Sequence, residues 1–173
     1  QLPRLFHQLD VPAIAAVNGH AIGAGMDLAT MCDIRVASTR ASFAESFLRV
    51  GLISGDGGAW YLPRVIGQAK AMEMALTCCV LTAEQARDWG LVTHVTAPET
   101  LLEKAWELAE QITAFPPKSI RLNKRLVRQS SDVSLETALD LAASFQSIVQ
   151  NTQDQHEAVV ALLDGRPPVF KGA

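Results

Sequence analysis

Between residues 13 and 37 the chain passes from one unbroken apolar stretch, through glycine-rich turns and a short apolar helix pattern, to a second apolar stretch. The first is Ala13-Ile-Ala-Ala-Val17 and the second Ile34-Arg-Val-Ala37. Asn18-Gly19, Gly23-Ala-Gly25 and Met26–Met31 lie between them. Short apolar runs bounded by turn residues suit strands buried on both faces, as in parallel sheets covered by helices. Upstream, Leu2, Leu5, Phe6 and Leu9 recur at helical spacing until Pro12, which disfavours helix in the residue before it. Helix, strand, helix and strand in this order predict an α/β domain.

Downstream, Gly51, Gly55, Gly57 and Gly58 predict a loop that ends in a helix over 59–66, with Gly67 at its end. A further helix is predicted over 69–76. Thr82-Ala-Glu-Gln85 has the form of a capping box whose helix Gly90 closes, and 91–95 reads as a strand. Thr96-Ala-Pro-Glu99 has the same box form, with proline in the first turn. Leu102, Ala105, Ala109 and Ile112 stripe the helix that follows, and Pro116-Pro117 breaks it. Residues 119–128 predict a basic helix. Leu135, Ala138, Ala142, Phe145 and Val149 stripe a last long one.

With 173 residues, 49% hydrophobic, the chain can bury one core but not two comfortable ones. A net charge of −3 without a basic run argues against a nucleic-acid partner. No apolar stretch reaches the roughly 18 residues of a membrane span. The opening Gln1–Pro12 lacks the basic-then-apolar order of a signal peptide. Cys32, Cys78 and Cys79 have no metal-ligand spacing, and a reducing cytoplasm, mitochondrial matrix or peroxisome suits them better than a disulfide framework. No metal or redox cofactor is implied.

Three readings fit Asn18–Leu28. Glycine permits tight strand–helix packing. A dinucleotide fingerprint would need Gly-x-Gly-x-x-Gly, but Leu28 occupies the third glycine position. The third reading is an oxyanion site: small residues at a helix start leave backbone N–H groups uncovered, and the helix dipole favours negative charge there.

The order of motifs along the chain resembles the crotonase, or enoyl-CoA hydratase/isomerase, family. The resemblance rests on Asn18–Leu28, Cys32–Ala37, Phe43, Val50–Ile53, Gly55–Gly58 and Leu62–Gly67. It continues through Leu81–Ala86, Trp89–Val92 and Arg166–Lys171. It implies a crotonase-like ββα spiral, present here in part and without its N-terminal units. Residues 1–95 would be spiral core and 96–173 a helical oligomerisation region. The first strand would then lie at a sheet edge. It implies an acyl-CoA thioester partner, with coenzyme A entering as part of the substrate, and a homotrimer or dimer of trimers. One oxyanion N–H falls on Ala24, flanked by Gly23 and Gly25. The second would come from an earlier loop. Phe170 and Lys171 match elements near the coenzyme A adenine and phosphates, although an ordinary exposed tail also fits them.

The departures bear on the chemistry. Where the family's hydratases carry a glutamate three residues after the oxyanion N–H, this chain has Asp27, which also reads as an ordinary helix N-terminal carboxylate. Gapless counting puts their second glutamate at Phe47, which cannot move a proton. Asp56 is the candidate substitute, with a turn or cap role as its alternative. Glu45 reads as a surface residue and His20 as structural. The expected activity is enolate stabilisation of a hydratase or isomerase type. The alternatives are another reaction on the same scaffold, hydrolytic or lytic, and a silent acyl-CoA binder.

Overall fold

The computed structural model describes residues 1–173, and the chain divides into two compact units. Residues 1–9 and 13–108 form the first; residues 10–12 and 109–173 form the second. In chain order the first unit holds α1 (Leu2–Gln8), β1 (Ile14–Val17), β2 (His20–Ile22), α2 (Ala24–Met31), β3 (Ile34–Ser38) and β4 (Ser42–Ala44). A 3-10 turn at Phe47–Val50 leads to α3 (Gly58–Ile66), α4 (Gln68–Thr77), β5 (Leu81–Thr82), α5 (Ala83–Asp88) and β6 (His94–Thr96). A second 3-10 turn at Pro98–Thr100 precedes α6 (Leu101–Thr113), which spans the division between the units.

The strands form two small sheets. One is parallel, in the order β1-β3-β6, with Ala16 opposite Val36 and Ala37 opposite Val95. The other has the order β2-β4-β5, with β2 parallel and β5 antiparallel to β4. The central strand β3 buries Val36 and Ala37 completely. The expectation that residues 13–17 are fully buried is corrected: β1 pairs on one side only, is half-buried, and exposes Ala16. Phe43, Met26, Met74, Leu91 and Val92 fill the core between sheets and helices.

Local signals fare unequally. The Thr82 box forms as expected, with the Gln85 N–H donating to Thr82 Oγ1 at 3.3 Å and the Thr82 N–H donating to Gln85 Oε1 at 2.9 Å. The Thr96 box does not form. Thr96 ends β6, its hydroxyl donates to the Ala97 carbonyl, and a 3-10 turn separates it from α6. The strand expected at 91–95 begins only at His94. The Leu91 N–H is already spent on the Ala86 carbonyl at 2.8 Å, and the Leu91 carbonyl accepts from Arg35 Nε at 2.6 Å.

The second unit holds α7 (Pro117–Ser130), α8 (Leu135–Gln150) and α9 (Gln153–Asp164). Pro117 opens α7 rather than merely breaking what precedes it, because the first helical position needs no N–H. The helix expected over the stripe from Leu135 to Val149 forms as α8, and α9 follows it as a further helix that no expectation covered. Asn151-Thr152 separates the two, and Thr152 Oγ1 caps α9 by accepting the Gln155 N–H at 3.1 Å. Buried Asp154 holds the terminal segment, accepting the Lys171 and Gly172 N–H groups at 2.7 Å each. Asp10, in the short stretch 10–12, pairs with Arg125 and Arg128. No helix is long and apolar enough to cross a membrane.

Candidate active site

The turn from β2 into α2 is built on Gly23, whose φ of +55° and ψ of −119° are open to glycine and strained for any other residue. Its N–H donates to the Ala44 carbonyl at 2.9 Å and so ties the turn to the end of β4. The first intrahelical hydrogen bond of α2 runs from the Asp27 N–H to the Gly23 carbonyl at 2.9 Å. The N–H groups of Ala24, Gly25 and Met26 therefore have no acceptor within the helix, and no side chain caps them. Ala24 and Gly25 are exposed. This is donor geometry suited to a carbonyl oxygen that gains negative charge. The Phe47 ring packs beside the turn: a Cβ placed on Gly23 would lie 3.5 Å from its Cζ.

One turn into α2, Asp27 is completely buried. Its Oδ2 accepts the Ser54 hydroxyl at 3.0 Å, and Ser54 Oγ in turn accepts the Ala59 N–H at 3.3 Å. The loop ahead of α3 thus reaches back to hold the aspartate. Oδ1 has no donor, and neither oxygen of Glu45 has one.

Glu45 is the residue that the sequence reading misplaced. It follows β4 directly and is 4% exposed, not on the surface. It lies beside Asp27, as Gly58 shows: a Cβ on Gly58 would sit 1.9 Å from Asp27 Oδ1 and 2.6 Å from Glu45 Oε1. The first residue of α3 must be glycine for the two carboxyls to meet over it. Burial, followed by hydrogen bonding to Asp27 and that residue's charge, pushes the Glu45 carboxyl up to about 9. The signal that could have found Glu45 is strand alternation. It stands two residues after Phe43, which is fully buried, and alternation places the two on one face.

A cleft of about 310 Å³ opens beside the pair, between the 3-10 turn, α3 and α4. Glu45 and Ser54 supply its polar end, and Phe47, Leu48, Leu62 and Leu76 are among its apolar walls. Asp56 lies elsewhere: it is exposed in the turn before α3 and does not line the cleft. The structure therefore brings Ala24, Gly25, Asp27 and Gly23 together around the start of α2, with Glu45 beside Asp27. His20 stands on β2 with Nδ1 2.7 Å from Ser42 Oγ. Phe170 and Lys171 belong to the terminal segment of the second unit. No group of histidine, cysteine and carboxylate side chains is arranged to hold a metal ion.

An oxyanion-type helix start next to buried carboxyls defines a class of site able to stabilise an enolate and move a proton. Comparison with known proteins is specific. The family model for enoyl-CoA hydratase/isomerase matches residues 1–173. The chain belongs to that family, and its fold is the α/β crotonase fold. The 1,2-epoxyphenylacetyl-CoA isomerase of Escherichia coli K12 is 40% identical over 171 residues, which is 99% of this chain and 65% of the relative. The 2,3-dehydroadipyl-CoA hydratase of the same strain is 37% identical over 98% of this chain and 68% of its own length. The crystal structure of an enoyl-CoA hydratase from Bacillus anthracis superposes with a TM-score of 0.96 at 36% identity, covering 99% of this chain and 66% of that one. The chain thus spans about two thirds of the length of the relatives it matches.

Proposed function

We propose that the protein binds an acyl-CoA thioester, stabilises its enolate and moves a proton on the acyl chain, in a reaction of the hydratase or isomerase type. The observation that carries the reading is the adjacency of two features: the open N–H groups that begin α2, and the Asp27–Glu45 pair one turn further on. Removing a thioester α-proton puts charge on the carbonyl oxygen, which fixed donors stabilise, and the Ala24 N–H is the donor proposed for it. Phe47 at the position of the hydratases' second glutamate favours α-proton exchange and double-bond migration over water addition, since losing a general acid/base costs about 10²–10⁴-fold. The relatives named as an isomerase and a hydratase are similarly close in sequence, so the distinction rests on these residues.

The test is solvent-deuterium exchange at the α-carbon of a saturated or 3-enoyl thioester, beside hydration of crotonyl-CoA. Exchange well above background, with slow hydration, supports the reading. Thioester binding without exchange would refute it and identify a silent binder. The same reading extends to a trimer-based assembly and a reducing compartment. Exposed Leu135, Leu139 and Ile148 on α8 support the first, and the adjacency of Cys78 and Cys79, a poor arrangement for a structural disulfide, the second.

A further inference from the structure

Two buried carboxyls in contact cannot both be ionised without a large electrostatic cost, and the surroundings here are unequal. Asp27 has what a carboxylate needs: the Ser54 hydroxyl on Oδ2 and a place in the first turn of α2, where the helix dipole favours negative charge. Glu45 has neither. Both its oxygens lack a donor, it is 4% exposed, and it lines an apolar cleft. One shared proton joins two of the three orphan oxygens, and its place is on Glu45: the O–H donates to Asp27 Oδ1, while the charge stays on the aspartate that Ser54 and the helix start support.

We propose that Asp27 and Glu45 hold one proton between them, and that Glu45 is the group that exchanges it with the acyl chain while Asp27 positions and tunes it. The assignment rests on the enolate reading above and adds a residue that the two-carboxylate pattern does not include. In the protonating direction the Glu45 O–H bond breaks and its proton forms a C–H bond with the enolate carbon. The enolate's electron pair makes that bond, and the thioester C=O is restored. The Glu45 carboxylate left behind lies against ionised Asp27, which makes it a strong base. It regains a proton from another carbon of the acyl chain or from water, so atoms and electrons balance without a further reactant.

Few groups act on Glu45. Asp27 on α2 is the titratable one that faces it. The cleft that Glu45 lines is walled by the 3-10 turn, α3 and α4, and no other charged side chain lines it.

The test uses the full-length protein and α-deuterium exchange into a saturated acyl-CoA, followed against pH. In the unaltered protein the rate should rise with pH as the Glu45 carboxylate forms, with its midpoint near pH 9. Glu45→Gln keeps the shape and should lower exchange by about 10²-fold or more while thioester binding persists. Asp27→Asn removes the neighbouring charge, so exchange should survive with its midpoint displaced to lower pH. Infrared spectra supply a readout apart from turnover: a protonated-carboxyl band at pH 7 that disappears in Glu45→Gln. If the unaltered protein exchanges and Glu45→Gln exchanges equally fast, the assignment is wrong while the enolate reading stands. An Asp27→Asn protein that loses exchange, or that keeps it with the midpoint unmoved, would also overturn it. Absence of exchange in the unaltered protein would instead sink the enolate reading itself.

Discussion

Gly58 is the most exacting small residue in the first unit, and Gly58→Ala is the sharpest test of the packing around the carboxyl pair. Its new Cβ would lie 1.9 Å from Asp27 Oδ1, 2.8 Å from Asp27 Cγ and 2.6 Å from Glu45 Oε1. These gaps are far inside any real contact, and neither carboxyl is the free end of an exposed chain: Asp27 is completely buried and Glu45 nearly so. Relief requires Asp27 to swing away, breaking the 3.0 Å bond from Ser54. Overpacking a core costs about 1–3 kcal/mol, and a hydrogen bond to a charged group about 1.5–3 kcal/mol. The expected loss is therefore about 3–5 kcal/mol, read by urea denaturation of the full-length protein. Gly55→Ala is the control, since its Cβ would meet only the Ile53 carbonyl at 4.0 Å and its φ is not in the left-handed region. That change should alter stability by less than about 1 kcal/mol. A Gly58→Ala protein that loses less than about 1 kcal/mol would show that the two carboxyls do not meet over Gly58, and the shared-proton argument would fall with it.

Two further outcomes are expected. Glu45 has a folded-state value raised from 4.5 to about 9, so its contribution to stability is fully present below about 4.5 and is lost as pH rises through 9. Denaturant midpoints should fall across that window in the unaltered protein and fall less steeply in Glu45→Gln; parallel profiles would contradict the raised value. In the second unit, Asp154→Ala removes the acceptors for the Lys171 and Gly172 N–H groups, and should cost about 2–4 kcal/mol and raise protease cleavage after Lys171; unchanged cleavage would show that Asp154 does not hold the segment.

The sequence made visible those elements whose signal is both long and chemically typed. The helix that starts after Gly23, the boxed helix from Thr82 and the strand around Val36 stand where their patterns place them. Elements without such a signal stayed hidden. Strands β2 and β4 have three residues each, too few for alternation to register, and both form because neighbours pair with them. The two-residue break at Asn151-Thr152 is hidden inside an otherwise continuous helical composition. Thr96 carries a perfect box sequence, yet pairing in β6 claims it first, a case of tertiary structure overriding a local preference. For the site, the helix start was legible because glycine spacing and a following aspartate are local features. The partner of Asp27 was not, because it depends on a strand end and a helix start that are distant in sequence.

That partner also explains what Phe47 does. Counting from the oxyanion residue puts a carboxylate requirement at position 47, and an aromatic ring there reads as a loss. In the folded chain a carboxyl two residues earlier lies beside Asp27, while the ring at 47 packs beside Gly23 and walls the cleft. An apolar wall lowers the dielectric around Glu45, so the charge of Asp27 makes ionising it more costly. It also solvates an ionised Glu45 poorly, which agrees with the proposed proton on the residue that faces the cleft. The ring and the carboxyl are therefore coupled in the proposed site: a polar side chain at 47 would hydrate Glu45 and lower the pH at which it ionises.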